Sequence, residues 1–241
     1  MAERDSDAGL AMPDRGYAIC TSPRSGSNLL CQFLSSTGTL GHPLEYFNPI
    51  ARRKLTHLDY PDDPHEQIRW ILTKGATPNG IYGLKLFPEY IDQVGAILSW
   101  TGSLPNLTSV YLERRDLLGQ AISWARAIHT EQYRSTQPSR SPAFYDAALI
   151  QERLTLIARQ CARWSAFFAR TGIEPVRLVY EEVVANPQAA VDSVAARVTP
   201  GRSAVIDPTQ VDLVIQRNEQ TAEWRARFVA ERGDPDFIDL I

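Results

Sequence analysis

The sequence predicts an α/β fold with a central parallel sheet flanked by helices. Three observations support this class: the chain contains four short apolar runs, helical patterns separate each run from the next, and this alternation is typical of parallel sheets. The runs are YAIC (residues 17–20), IYGLKLF (81–87), LTSVYLE (107–113) and PVRLVY (175–180). With 241 residues, 44% of them hydrophobic, the chain is long enough for one large domain with a full core.

The segments between the predicted strands have the periodicity of amphipathic helices. Apolar residues recur at helical spacing over residues 29–34 after the first strand and over residues 91–98 after the second. Residues 149–170 predict one long helix before the last strand. Three glycines stand where helix C-caps are expected: Gly38, Gly75 and Gly172.

We predict a single domain over residues 16–241, preceded by a disordered or extended tail over residues 1–15. Residues 40–65, with mixed polarity and several prolines, and the polar segment 134–142 are interpreted as loops. We expect both loops to lie over the carboxyl edge of the sheet, where α/β proteins form their binding sites.

Composition and charge exclude several classes of protein. A net charge of −3 and a pI near 5.8 argue against a nucleic-acid surface, which needs clustered Lys and Arg. The three cysteines lack CxxC spacing, which predicts buried thiols and a reducing compartment. Because we find no secretory leader and no transmembrane segment of about 18 apolar residues, we expect a soluble, cytoplasmic protein. The histidines lack HxH or HxxxH spacing, so no metal site is expected.

The turn after the first predicted strand has the features of an anion site. Arg24, Ser25, Gly26 and Ser27 lie between a strand and a helix, where several backbone N–H groups and the positive helix end converge. Arg24 adds a fork of donors, and Gly26 lets the backbone approach an anion closely. The alternative is a plain turn capped by serine. Because GxxxxGK[ST] is absent, the turn is not a nucleotide-hydrolysing P-loop.

A second candidate anion element follows the third predicted strand. Arg115 stands at the end of this strand, and Ser123 follows eight residues later on a helix that Asp116 can cap. Two helical turns separate Ser123 from the cap by about 10 Å, so both side chains reach one phosphate only if it lies along the flank of the helix. The alternative is a surface arginine and an ordinary helical serine.

Taken in order, the motifs resemble a known family. The stretches SPRSGSNLL, GHPLEYF, NGIYGLKL, YLERRDLLGQAISWARAIHT and EQTAEW are similar to those of the bacterial trehalose 2-sulfotransferase family. Members of this family use 3'-phosphoadenosine 5'-phosphosulfate (PAPS) as sulfuryl donor and have a P-loop-like turn for its phosphosulfate. The resemblance extends from about Tyr17 to Phe228 and so implies a sulfotransferase fold for nearly the whole chain.

The resemblance implies residues for the donor. The turn that binds the 5'-phosphosulfate would consist of Arg24, Ser25, Gly26, Ser27 and Asn28. Arg115 and Ser123 would bind the 3'-phosphate that distinguishes PAPS from ATP. Near the C-terminus, Gln220 and Thr221 would close over the nucleotide; the alternative is that Trp224 and Phe228 only pack a last helix.

The resemblance also implies residues for catalysis and for the acceptor. Glu45 matches the general base, and its apolar neighbours should raise its pKa. Lys85 would point from the end of its strand into the site and, with Arg24, stabilise developing charge. Four side chains are the candidate acceptor contacts: His42, Tyr46, Phe47 and Tyr133. His42 departs from the family pattern, which has an acidic residue at this position.

We therefore predict in-line transfer of a sulfuryl group from PAPS, without a metal, to a hydroxyl of a carbohydrate or glycolipid. The alternatives are a small-molecule kinase with a degenerate phosphate loop and a non-catalytic nucleotide or sulfated-sugar binding module. The sequence leaves the identity of the acceptor open, as well as whether the protein forms a homodimer.

Overall fold

Four parallel strands form the central sheet of the protein, whose computed structural model describes residues 13–55, 58–212 and 219–239. The order across the sheet is β2-β1-β3-β4. The strands are β1 (Arg15–Cys20), β2 (Ile81–Leu86), β3 (Leu107–Glu113) and β4 (Val176–Val179). All four predicted strands and the parallel sheet are thus confirmed. Ile19 pairs with Lys85 on one side and with Val110 on the other, so β1 lies in the middle of the sheet.

Ten α-helices connect and flank these strands in the described residues. They are α1 (Ser27–Ser36), α2 (Pro49–Leu55), α3 (Pro64–Thr73), α4 (Pro88–Gly95), α5 (Trp100–Ser103), α6 (Leu117–Thr130), α7 (Ala147–Thr171), α8 (Tyr180–Ala185), α9 (Pro187–Val198) and α10 (Glu219–Arg232). Asp116 caps α6 as predicted, since its carboxylate accepts from the backbone N–H of Gly119 at 2.9 Å. Gly172 ends α7 with a left-handed φ of 69°.

Apolar side chains fill both faces of the sheet, because successive residues of a strand point to opposite sides. Tyr17 and Ile19 of β1 pack on one face with α1 and α9. Ala18 and Cys20 point to the other face, where α3 and α7 complete the core. A smaller apolar cluster joins α6, α7 and α10, and it includes Trp224.

The irregular segments agree only in part with the prediction. Residues 134–142 contain neither helix nor strand, as expected. Residues 40–65 do not form a single loop, because α2 occupies Pro49–Leu55 and α3 begins at Pro64. Of the predicted tail, residues 1–12 lie outside the described residues, and β1 begins at Arg15.

Two further predictions concern buried cysteine thiols and the absence of a transmembrane segment. The three cysteines are free thiols; Cys20 and Cys31 are buried, and Cys161 is partly buried. Among the described helices, none combines the length and the apolar character needed to cross a membrane.

Candidate active site

A large cavity opens at the carboxyl ends of β1, β2 and β3, as expected for a parallel sheet. Its volume is about 1580 Å³. Pockets for a single drug-sized ligand measure roughly 300 to 1,000 Å³, so this cavity has room for two ligands side by side. Its walls include the turn after β1, the last residues of β2, the residue after β3, and parts of α2, α6 and α10.

The turn between β1 and α1 presents unpaired backbone donors to this cavity. The N–H groups of residues 24–28 have no acceptor in the part of the chain that the structure describes, and the first bonded N–H is that of Leu29, which donates to Gly26 O at 3.0 Å. Helix α1 also lacks a side-chain cap. Gly26 has a left-handed φ of 88°, and a Cβ here would lie 2.1 Å from the Tyr180 ring. This geometry suits a phosphate or sulfate group.

The side chains of the turn divide into two groups. Ser27 and Asn28 line the cavity. Ser25 is completely buried, and its hydroxyl lies 2.7 Å from that of Thr21, which in turn donates to Leu112 O at 2.7 Å. Ser25 therefore fixes the turn to the sheet, and only its backbone is left for a ligand.

Arg24 belongs to the first predicted anion-binding element and contacts Ser123 of the second. Its Nε donates to Ser123 Oγ at 3.1 Å, and a terminal nitrogen donates to Tyr133 O at 2.6 Å. Burial lowers the pKa of Arg24 to about 10, and the neighbouring charge of Arg114 acts in the same direction. Two cations this close repel each other, so an anion between them would be stabilised.

The arginine that enters the cavity after β3 is Arg114 and not Arg115. The Arg115 side chain is 61% exposed, forms an ion pair with Glu182 and lies outside the cavity lining. Arg114 is 9% exposed, lines the cavity and donates to Arg24 O at 3.3 Å. Its guanidinium also lies over the Tyr180 ring, 5.0 Å from the centroid. The structure thus separates the predicted pair, keeping Ser123 in the cavity and Arg115 outside.

Glu45, Lys85 and Asn28 line the cavity and form a polar chain, of which Lys85 is buried and the other two are partly buried. Lys85 Nζ lies 2.7 Å from Glu45 Oε1 and donates to Asn28 Oδ1 at 2.6 Å. Glu45 Oε2 also accepts from Asn48 at 2.9 Å. The backbone explains this juxtaposition, because Leu44 pairs with β2 and accepts from the N–H of Lys85 at 2.9 Å. Lys85 points into the cavity, as expected.

The pKa of Glu45 moves in the direction opposite to the predicted one. Burial alone would raise it, and burial is the largest single influence. The charge and hydrogen bond of Lys85, the hydrogen bond from Asn48 and the charge of Arg52 together outweigh burial, so the pKa of Glu45 is lowered from 4.5. The carboxylate is therefore ionised at neutral pH.

The predicted acceptor residues are mostly away from the cavity. His42 is exposed, and Tyr46 and Phe47 are each 2% exposed and belong to the apolar core. None of these three is among the described residues that line the cavity. Tyr133 does line it, with a side chain that is 48% exposed.

The start of α10 contributes one of its two predicted residues. Thr221 lines the cavity and accepts from Arg126 at 3.0 Å, whereas Gln220 is not part of the described lining. Trp224 and Phe228 are 3% and 5% exposed and pack against α6 and α7, so the packing alternative holds for this end of the helix.

Basic residues outnumber acidic ones in the cavity lining, and sequence reasoning missed most of them. Of the described residues that line it, eight are arginine or lysine and three are glutamate. Arg126 could have been found, because it follows Ser123 by three residues on the same helix face. Arg52 and Arg134 carry no comparable signal, since each lies in a segment interpreted as a loop. Within the described ranges, no three His, Cys, Asp or Glu side chains gather as metal ligands would.

Comparison with known proteins gives a consistent result. The family model described as Stf0 sulphotransferase matches residues 16–231. A trehalose 2-sulfotransferase of Mycobacterium tuberculosis (strain ATCC 35801 / TMC 107 / Erdman) is 30% identical over 259 residues, covering 90% of this chain and 95% of the relative. A second trehalose 2-sulfotransferase, from Mycolicibacterium smegmatis, is 28% identical and covers 88% and 93%.

The fold also resembles a solved structure. The crystal structure of a sulfotransferase from Alicyclobacillus acidocaldarius superposes with a TM-score of 0.50, covering 92% of this chain and 93% of the other. The two sequences are 14% identical, so this likeness concerns the fold alone.

Proposed function

The chain belongs to the Stf0 sulphotransferase family, and from this premise we propose that it transfers the sulfuryl group of PAPS to a hydroxyl of a carbohydrate or glycolipid. The observation that carries the proposal is the position of Lys85. This one cation bonds both the predicted base, Glu45, and Asn28 in the predicted anion turn. The predicted base and the predicted donor-binding turn are therefore bonded to the same buried side chain.

The residues around the turn fit a donor with two anionic ends. The unpaired N–H groups of residues 24–28, with Ser27, would hold the phosphosulfate. Arg114 and Ser123 would hold the 3'-phosphate, so we transfer to Arg114 the role that the sequence suggested for Arg115. Ser123 accepts a hydrogen bond from the Arg24 side chain, and Arg114 donates one to the Arg24 carbonyl. The Arg24 guanidinium would therefore lie between the phosphosulfate and the 3'-phosphate and bind both. The donor supplies an electrophilic sulfuryl group attached to a phosphate leaving group.

The reaction needs a proton acceptor at the acceptor hydroxyl, and Glu45 is suited to this role. Its carboxylate is ionised, lines the cavity and is fixed by Lys85 and Asn48. Glu45 would take the hydroxyl proton while the hydroxyl oxygen bonds to sulfur and the bond from sulfur to the phosphate oxygen of the donor breaks, so that 3'-phosphoadenosine 5'-phosphate leaves. Lys85 would then stabilise negative charge on the sulfuryl oxygens, and fixed donors of this kind are typically worth about 3 to 4 kcal/mol each.

A transfer assay with two variants tests the proposal. The wild-type protein should convert labelled PAPS and a sugar acceptor such as trehalose into a sulfated product. Glu45→Gln keeps the shape of the side chain but removes the base, so turnover should fall by about 10² to 10⁴. Binding of 3'-phosphoadenosine 5'-phosphate, measured by calorimetry, should stay nearly unchanged, because Glu45 lies outside the proposed donor site.

The matched control is His42→Ala, which changes an exposed residue near Glu45 that does not line the cavity. Its turnover should equal that of the wild type. Full turnover in Glu45→Gln combined with a loss in His42→Ala would show that the histidine is the base. Nucleotide binding without sulfuryl transfer to any sugar or glycolipid would instead favour a non-catalytic binding module.

A further inference from the structure

Arg52 is a buried arginine that neither the fold nor the proposed chemistry explains. It lies on α2, is 3% exposed, and lines the cavity. Its guanidinium makes no hydrogen bond and no ion pair with any residue that the structure describes, and its Nε is fully enclosed. A buried cation without a partner is costly to the folded protein, so such a residue is typically retained for a ligand.

Glu45 is the carboxylate whose charge acts on Arg52, but its oxygens are bonded to other residues. Glu45 already bonds Lys85 and Asn48, and it forms no ion pair with Arg52. Arg134 also lines the cavity, and its positive charge acts on Arg52. Burial, opposed by Glu45 and aided by Arg134, lowers the pKa of Arg52. This end of the cavity therefore keeps an excess of positive charge after every described ion pair is formed.

This excess is separate from the proposed donor site. Besides burial, the charges of Arg114 and Arg126 lower the pKa of Arg24, whereas the charges that act on Arg52 include those of Glu45 and Arg134. The proposed function already assigns the phosphosulfate to the turn and the 3'-phosphate to Arg114 and Ser123, with Arg24 between them. On this assignment, an anion at Arg52 would belong to the molecule whose hydroxyl faces Glu45.

We propose that the acceptor is an anionic carbohydrate, whose phosphate or carboxylate group is bound by Arg52 with help from Arg134. The planar fork of an arginine matches either group with two parallel hydrogen bonds. The anion would anchor the sugar so that a neutral hydroxyl lies at Glu45. This inference rests on the proposed function only for the orientation of the sugar, because binding of the anion can be measured without turnover.

Calorimetry on the protein saturated with 3'-phosphoadenosine 5'-phosphate tests the inference. Trehalose 6-phosphate should bind at least about tenfold more tightly than trehalose, as expected from one charged hydrogen-bonded contact. Glucuronic acid compared with glucose tests the carboxylate in the same way. In Arg52→Gln the preference for the anionic sugar should disappear, while the affinity for the neutral sugar stays unchanged.

Two further variants keep the test decisive. Arg53→Gln is the matched control, because Arg53 lies on the same helix but bonds Tyr60 O and Asp62 outside the cavity lining; it should keep the full preference. If Arg52→Gln does not fold, Arg134→Gln in the loop over residues 134–142 should still reduce the preference severalfold.

The results separate this inference from the proposed function. Equal binding of anionic and neutral sugars by the wild type, or an equal loss for both in Arg52→Gln, overturns the role of Arg52. A preference that depends on Arg52 in a protein that transfers no sulfuryl group supports the anion site and contradicts the proposed function.

Discussion

Replacing Lys85 with glutamine would expose the energetics of the buried pair on which the proposed chemistry depends. The Lys85 side chain is 4% exposed and that of Glu45 is 20% exposed, with 2.7 Å between the charged atoms. At an effective dielectric constant of about 20, this separation corresponds to about 6 kcal/mol of attraction. Much of this attraction offsets the cost of burying both charges. The attraction to Lys85, together with the hydrogen bonds to the carboxylate, outweighs the cost of burial and keeps the pKa of Glu45 below 4.5.

Without Lys85, the buried carboxylate should take up a proton on folding. An unfolded glutamate has a pKa of about 4.3, and each pH unit above this value costs about 1.36 kcal/mol. Forcing Glu45 to be neutral therefore costs about 3.7 kcal/mol at pH 7, but only about 1 kcal/mol at pH 5. The value at pH 7 lies within the roughly 3 to 5 kcal/mol lost when one partner of a buried pair is removed.

The sign of the pH effect follows from the two pKa shifts. In the wild type, the lowered pKa of Glu45 stabilises the fold above the unfolded pKa, and this stabilisation is lost as pH falls through the lowered value. In Lys85→Gln, the raised pKa of Glu45 makes the penalty grow as pH rises. The stability gap between the two proteins should therefore narrow on acidification.

Urea unfolding at pH 5, 6 and 7 measures this gap directly. The double variant Glu45→Gln/Lys85→Gln is the control, because it has no buried carboxylate to titrate, and its gap to the wild type should not widen between pH 5 and pH 7. A gap for Lys85→Gln that stays constant over this range would refute the reasoning, since it would mean that Glu45 remains ionised without its cation.

Two further predictions concern the donor site. Arg114→Ala should weaken binding of 3'-phosphoadenosine 5'-phosphate by about 1.5 to 3 kcal/mol, the usual contribution of a charged hydrogen bond, whereas Arg115→Ala should change it less than about twofold. Calorimetry on both variants decides between them, and the opposite ranking would restore the sequence-based assignment of Arg115. Gly26→Ala should lower both the melting temperature and nucleotide affinity, because the new Cβ would lie 2.1 Å from the Tyr180 ring. Unchanged affinity in this variant would mean that the turn tolerates a shift and is not a fixed anion site.

The sequence predicted the sheet well because β2, most of β1 and the centre of β3 are buried on both faces, and only the edge strand β4 is largely outside this pattern. Such strands appear as continuous apolar runs, and each of the four runs corresponds to a strand of the structure. Helix α2 was missed for the opposite reason. With seven residues, three of them basic, it is too short to show a helical repeat.

The site was harder to predict because it depends on direction and on contacts between distant segments. Which of two adjacent arginines enters the cavity depends on where the chain turns after β3, and no spacing rule shows this. Tyr46 and Phe47 stand next to Glu45 in the sequence, but burial of their rings in the core outweighs any contact with a ligand. The pKa of Glu45 depends on Lys85, forty residues away in the chain, which the local apolar sequence could not indicate.

The charge distribution connects the overall composition with the proposed chemistry. The chain has a net charge of −3, yet most of the charged residues that line its cavity are cations. An acidic exterior repels polyanions, while a basic cavity concentrates small anions. The same cations make Glu45 a weak base, because they stabilise its ionised form. A weak base is sufficient if the proton leaves late, when the hydroxyl oxygen has already begun to bond to sulfur and its proton has become acidic. We therefore expect catalysis to depend on the fixed position of Glu45 more than on its basicity.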